Sequence, residues 1–139
     1  MKRINILYWV VTALLIPVFG IGSVIALTGS SAQVAVLTSL GYPAYLLLFL
    51  SVTKILALIV IFTPKFPRLK EWAYAGLAFD VTGAIYSLLA INNSLGNIII
   101  PVFSLGLVFA SYYLYHKRLK NEYQNGIQHL GGSIRYERK

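Results

Sequence analysis

Hydrophobic residues dominate four stretches of this chain, residues 4–27, 45–62, 72–91 and 98–115, and more polar segments separate them. Each approaches the roughly 20 apolar residues that a bilayer-spanning helix needs. The first contains Pro17 with Gly20 and Gly22, a combination that predicts a bend or an opened packing face. Residues 28–44 carry no charge but include Val34, Val36, Leu37 and Leu40, which predicts a short helix at the membrane surface. The sequence "LGYP" breaks it and begins the second span. Pro64 and Pro67 stop that span, and Lys65, Arg68 and Lys70 form a tight basic turn before Trp72. The residues of "NNSLGN", 92–97, favour a turn, and so short a link makes spans three and four antiparallel neighbours. Pro101 falls in the first turn of span four, where its missing N–H costs little. Residues 117–139 read as a basic tail, with Gly126, Gly131 and Gly132 predicting little regular structure.

The predicted fold is therefore all-α: a membrane-embedded four-helix bundle over residues 1–116, followed by the tail. Composition agrees, since 58% of the 139 residues are hydrophobic and only 12% are charged, against about a quarter charged in a soluble domain. Lys2 and Arg3 before an apolar run also suit a signal peptide, but about 24 residues exceed the usual 7–15-residue apolar region of such a peptide. A retained anchor is the expectation.

The net charge of +8 would raise nucleic-acid binding in a soluble protein. Its distribution says otherwise. Two Lys/Arg residues precede span one, three lie between spans two and three, and six follow span four, so eleven of the twelve share one side of the bundle. The positive-inside rule puts that side, and both termini, in the cytoplasm. Trp9, Trp72, Tyr112 and Tyr113, near the basic ends, are the expected interfacial anchors. The partner implied is the lipid bilayer, with no nucleic acid.

The twelfth positive charge is Lys54, inside span two. It lies eight residues before Phe62, and Asp80 lies eight residues after Trp72 in the antiparallel neighbour. Both are thus about 12 Å below the basic boundary at 1.5 Å per residue. An isolated charge near a helix centre costs about 2.5–3.5 kcal/mol on insertion scales, so each is the other's default partner. Gly76, Gly83, Ala84 and Ser87 near the Asp80 face suggest close approach of another helix. Tyr86 and Ser87, with Ser51, Thr53 and Thr82, are candidate hydrogen-bonding neighbours. Three readings stay open: a salt bridge that aligns two helices, a proton-relay, anion or quinone-headgroup site, and a Lys54 that snorkels to the headgroups.

Other chemistry is scarce. The chain has no cysteine, so disulfides, thiolate metal sites and CxxC redox motifs are excluded. His116 and His129 sit at or beyond the end of span four, which rules out a bis-histidine haem within the bundle. No metal site is expected, and there is no P-loop or GxSxG elbow. "GIGS", residues 20–23, reads as helix packing.

The segments "LGYPAYLL", "TKILAL", "PKFPRLKEWAYAGLAFD" and "TGAIYSLLA", in this order, resemble the DoxX-like family of small four-span bacterial membrane proteins. The resemblance covers residues 5–116, most strongly 40–90, with "LKEWAYAG" its most specific block. It implies a bacterial inner-membrane location and kinship with membrane subunits linked to quinone-dependent sulfur oxidation, or with more distant factors for membrane-protein assembly and cargo export. The family's lysine is present as Lys54; the histidine that often follows the third-span serine is here Leu88, which weakens a metal or proton-relay role. The leading expectation is a small subunit or accessory factor of a membrane complex, without catalytic machinery of its own. The alternatives are a quinone-binding, redox-linked protein using Lys54 or Tyr86 as donor to a carbonyl oxygen, and a small-solute transporter with Asp80 as proton relay. A pocket lined by Lys54 and open to lipid favours quinone, a wet passage from either surface to Asp80 favours transport, and a tightly filled core with both charges mutually satisfied favours a structural role.

Overall fold

The structure, a computed structural model, describes residues 2–91 and 94–136. Asn92 and Asn93 of the expected turn lie outside the described residues, as does the side chain of His129. The described residues are helical or in short turns: α1 (Lys2–Ala13), a π-helical segment (Ile16–Ile21), α2 (Gly22–Leu27), α3 (Ser31–Ser39), α4 (Tyr45–Phe62), α5 (Pro67–Ala90) and α6 (Leu95–Tyr136). Four of the helical runs are long and apolar enough to cross a membrane, over Arg3–Leu27, Tyr45–Phe62, Pro67–Ala90 and Leu95–Gln128.

The first span is where the predicted bend falls. Proline lacks the N–H that an α-helix needs at that position, and the chain passes Pro17 in a wider π turn before returning to α geometry at Gly22. The two halves then have different neighbours: α1 packs on α6, whereas α2 packs on α4. Gly20 sits at the changeover, where an added Cβ would lie 3.4 Å from Leu58 Cδ1. Helices α4 and α5, and α5 and α6, pack as adjacent pairs and complete the bundle.

Three boundaries differ from the sequence reading. Helix α6 begins at Leu95, three residues before the expected start of span four, so Pro101 stands inside the helix beyond its first turn, where its missing N–H removes a helical hydrogen bond. Pro67 does not stand in the turn but opens α5, since a fixed φ and an absent donor suit the first position of a helix. Arg68 and Lys70 are consequently helical, and the turn contracts to residues 63–66. The tail is not irregular: α6 runs without a break to Tyr136. Its Lys, Arg, Gln, Glu and Leu residues are good helix formers, and Arg118 Nε donates to Glu122 Oε1 one turn later at 2.9 Å. A glycine in a helix costs about 1 kcal/mol, which this continuous helix tolerates at Gly126.

Polarity is inverted relative to a soluble bundle. Thr12, Ser23, Ser51, Ser87, Ser104 and Ser111 are buried, while Phe49, Phe79, Ile99, Ile100 and Phe103 are exposed. Most of the buried hydroxyls donate back to their own helix, as Ser51 does to the Leu47 carbonyl at 2.7 Å and Ser104 to that of Ile100 at 2.9 Å. Apolar surface of this extent needs an apolar solvent. Between the helices, packing attraction and interhelical hydrogen bonds replace the hydrophobic effect.

The two ends of the bundle are built differently. Toward the basic end, Tyr8, Thr12, Leu15, Ile61, Leu77, Val108 and Ser111 are almost completely enclosed. Ser111 Oγ lies 2.8 Å from both Thr12 Oγ1 and the Tyr74 hydroxyl, tying spans one, three and four together. The other half, beyond Lys54 and Asp80, is hollow.

Candidate functional site

Antiparallel pairing of α4 and α5 brings the two intramembrane charges together. Lys54 Nζ and Asp80 Oδ2 are 3.1 Å apart, with side chains 28% and 17% exposed. The contact favours the paired readings over a snorkelling lysine, whose ammonium would turn away toward the basic boundary.

Their incomplete burial has a cause. Both residues line a cavity of about 420 Å³ bounded by α2, α3, α4 and α5. Its lining runs along α4 from Leu46 to Lys54 and along α5 from Phe79 to Ser87, so the ion pair marks the end nearest the basic side. Below it, Leu58, Ile61 and Leu77 are buried and form a floor. Leucines 37, 40, 46, 47 and 50 supply half of the apolar lining side chains, and Ser23, Gln33, Tyr42, Ser51 and Ser87 contribute polar atoms beside the ion pair. Phe79, 78% exposed, stands at the rim.

Of the expected neighbours, Ser87 belongs to this cavity: its Oγ donates to the Gly83 carbonyl at 2.8 Å and meets the Tyr42 hydroxyl at 2.8 Å. Tyr86 does not. It is 73% exposed and absent from the lining, because one residue of helix turns a side chain by about 100°. Thr53 and Thr82 are also directed elsewhere, to the carbonyls of Leu50 and Ala78 on their own helices. The small residues on α5 serve a different purpose from the one expected. A Cβ at Gly76 or Gly83 would meet nothing within 4 Å, so these glycines do not seat a neighbouring helix; Gly83 and Ala84 leave room for the cavity. Close approach is provided by Gly20 instead.

Gln33 and Tyr42 were not legible as site residues. Gln33 is the only long polar side chain in residues 28–44, and that isolation was its one signal. Tyr42 was hidden in a sequence read as a helix breaker. Leu88 is a buried apolar residue.

The interfacial aromatics divide. Trp72 and Tyr113 face outward, 80% and 64% exposed, and Trp9 is partly exposed beside Phe62. Tyr112 turns inward to an aromatic group, its ring 5.6 Å from that of Tyr74 and 4.5 Å from the His116 ring. Lys70 is folded over the Tyr115 ring, 5.3 Å from its centroid, and Arg118 over Tyr8 at 5.6 Å, geometry that suits cation–π attraction. His116 Nε2 lies 3.8 Å from Glu71 Oε1. Among the described residues no cluster of metal-ligating side chains occurs.

An inverted-polarity bundle with four membrane-length helices and a charged, mostly apolar cavity defines a multi-pass membrane protein. The family model described as the DoxX-like family matches residues 10–111, and the chain belongs to that family. No curated protein and no solved structure matches it.

Proposed function

We propose that this protein is a small subunit or accessory factor of a bacterial inner-membrane complex, with both termini cytoplasmic, and that it works by binding a lipophilic carbonyl compound of the quinone class above the Lys54–Asp80 pair. The observation that carries this reading is the cavity itself: about 420 Å³, mostly apolar, with a cation at its inner end. Small-molecule sites have this composition, with volumes of about 300–1,000 Å³ and a few placed polar groups.

The donor set suits such a ligand. Lys54 supplies N–H donors for a carbonyl oxygen; at the opposite end Ser87 donates to the Gly83 carbonyl and Tyr42 to Ser87, so these hydroxyls offer a ligand acceptor lone pairs. Asp80 holds the ammonium in position and accepts a proton or hydrogen bond from a hydroxyl on a reduced ring. The bound quinone would supply reversible two-electron chemistry; the chain's part is to hold and orient its head. The filled basic half favours a binding site over a through-passage, which sets this reading ahead of solute transport.

The test is twofold. Purified protein should retain a ring-absorbing quinone through detergent extraction. Decylubiquinone at about one hundred times its Kd should raise the unfolding free energy by about 2.7 kcal/mol, measured by thermal melting. Lys54→Arg should preserve the fold and weaken this shift, and Lys54→Met should abolish it. Absence of both a retained quinone and a wild-type melting shift rejects the quinone assignment.

A further inference from the structure

The cavity's far end is covered by α3, a nine-residue helix with no buried residue of its own. Isolated helices of this length are marginal in stability, so α3 is held where it is by what it touches. Gln33, Leu37 and Leu40 turn one side of it to the cavity. Two hydrogen bonds fasten the segment: Gln33 Nε2 donates to the Gly22 carbonyl on span one at 3.1 Å, and Tyr42, just past α3, meets Ser87 on α5 at 2.8 Å. They tie its two ends to different spans.

Each end is also jointed. Gly29 and Gly41 have φ of +75° and +83°, a region that glycine enters without the steric cost other residues bear. Neither glycine is demanded by crowding, since a Cβ at either position would meet nothing within 4 Å. Their role is conformational. The Gly41 joint is a helix-terminating motif in which Tyr42 N–H bonds to the Leu37 carbonyl and Gly41 N–H to that of Thr38, and this aims Tyr42 at α5.

We infer that residues 29–42 form a hinged lid over the cavity, latched by Gln33 and Tyr42, through which the occupant enters from the membrane side opposite the basic residues. The inference rests on the reading of the cavity as a binding site, and it adds a route and a control point. The cavity has an open rim at Phe79 and Gly83; passage past α3 widens that mouth and requires both latches to break while the two glycines absorb the change in backbone angle. The floor stays closed throughout.

The natural absence of cysteine makes a direct test available. Ala84→Cys places a single thiol in the cavity lining, and Ser104→Cys places one at a buried position on α6 outside it. Alkylation by N-ethylmaleimide is timed in each background. Removing one latch, by Gln33→Leu or by the milder Tyr42→Phe, should speed reaction at position 84 about two- to tenfold, the range that one net hydrogen bond corresponds to, and leave position 104 unchanged. Unaltered rates at position 84 in both latch variants overturn the lid. So does equal acceleration at positions 84 and 104, which is general loosening. Decylubiquinone, added to the latched protein, should slow alkylation at position 84. Failure of that protection with latch effects intact removes quinone as occupant and keeps the lid; protection without latch effects keeps the site and removes the lid.

Discussion

Among individual residues, the buried hydroxyls make the sharpest energetic statement. Ser111 serves Thr12 and Tyr74 at once, whereas the Tyr8 hydroxyl, equally enclosed, stands close to that of Tyr74 but meets no partner with good hydrogen-bond geometry among the described residues. An unmet buried polar group costs about 1–3 kcal/mol. Tyr8→Phe is therefore expected to raise the melting temperature in detergent, and Ser111→Ala, which strands two hydroxyls, to lower it by more than a lone serine truncation would. A Tyr8→Phe variant that melts below wild type would mean that Tyr8 has a partner, such as a bound water. Residue-level legibility followed the rarity of the signal. Lys54 and Asp80 were readable because a charge inside an apolar span has few ways to be satisfied and helix rise sets its depth. The Thr12–Ser111–Tyr74 contact was not, since hydroxyls are common in these spans and most bond to their own backbone. Tyr86 shows the same limit: its depth was correct for the site, but which way it faced depended on helix rotation.

Helices are legible in hydropathy, and their ends less so. Pro67 could end one helix or start the next; both uses follow from the missing N–H, and only the path of the chain decides. The tail's glycines suggested irregularity, yet propagation from a long existing helix outweighs a few unfavourable residues. Pro17 was visible as a disturbance, but its result, a span that changes partner halfway, needed the neighbours in place. That changeover makes a prediction about Gly20. An added methyl would touch Leu58 Cδ1 at 3.4 Å, a contact that a small shift of a flexible side chain accommodates. Gly20→Ala should thus be close to neutral, and Gly20→Leu should destabilise by about 1–3 kcal/mol through overpacking, as read by thermal or denaturant unfolding. Equal stability of Gly20→Leu and wild type would show that span one does not depend on this approach to α4.

For the molecule as a whole, the charge distribution predicts orientation. The basic turn containing Lys65 and the segment containing α3 lie at opposite ends of the bundle, so single cysteines at Lys65 and Ser31 should report from opposite sides of the membrane. In intact bacterial cells an impermeant maleimide is expected to label Ser31→Cys and to reach Lys65→Cys only after lysis. The reverse pattern would place the termini outside. The contrast between a filled basic half and a hollow half then acquires a consequence for behaviour. In this conformation the floor separates the cavity from the basic side, so an occupant reaches it without crossing the filled half. Occupancy then answers to the concentration on the side at which the cavity opens, while the long extension of α6 stands at the other end of the bundle.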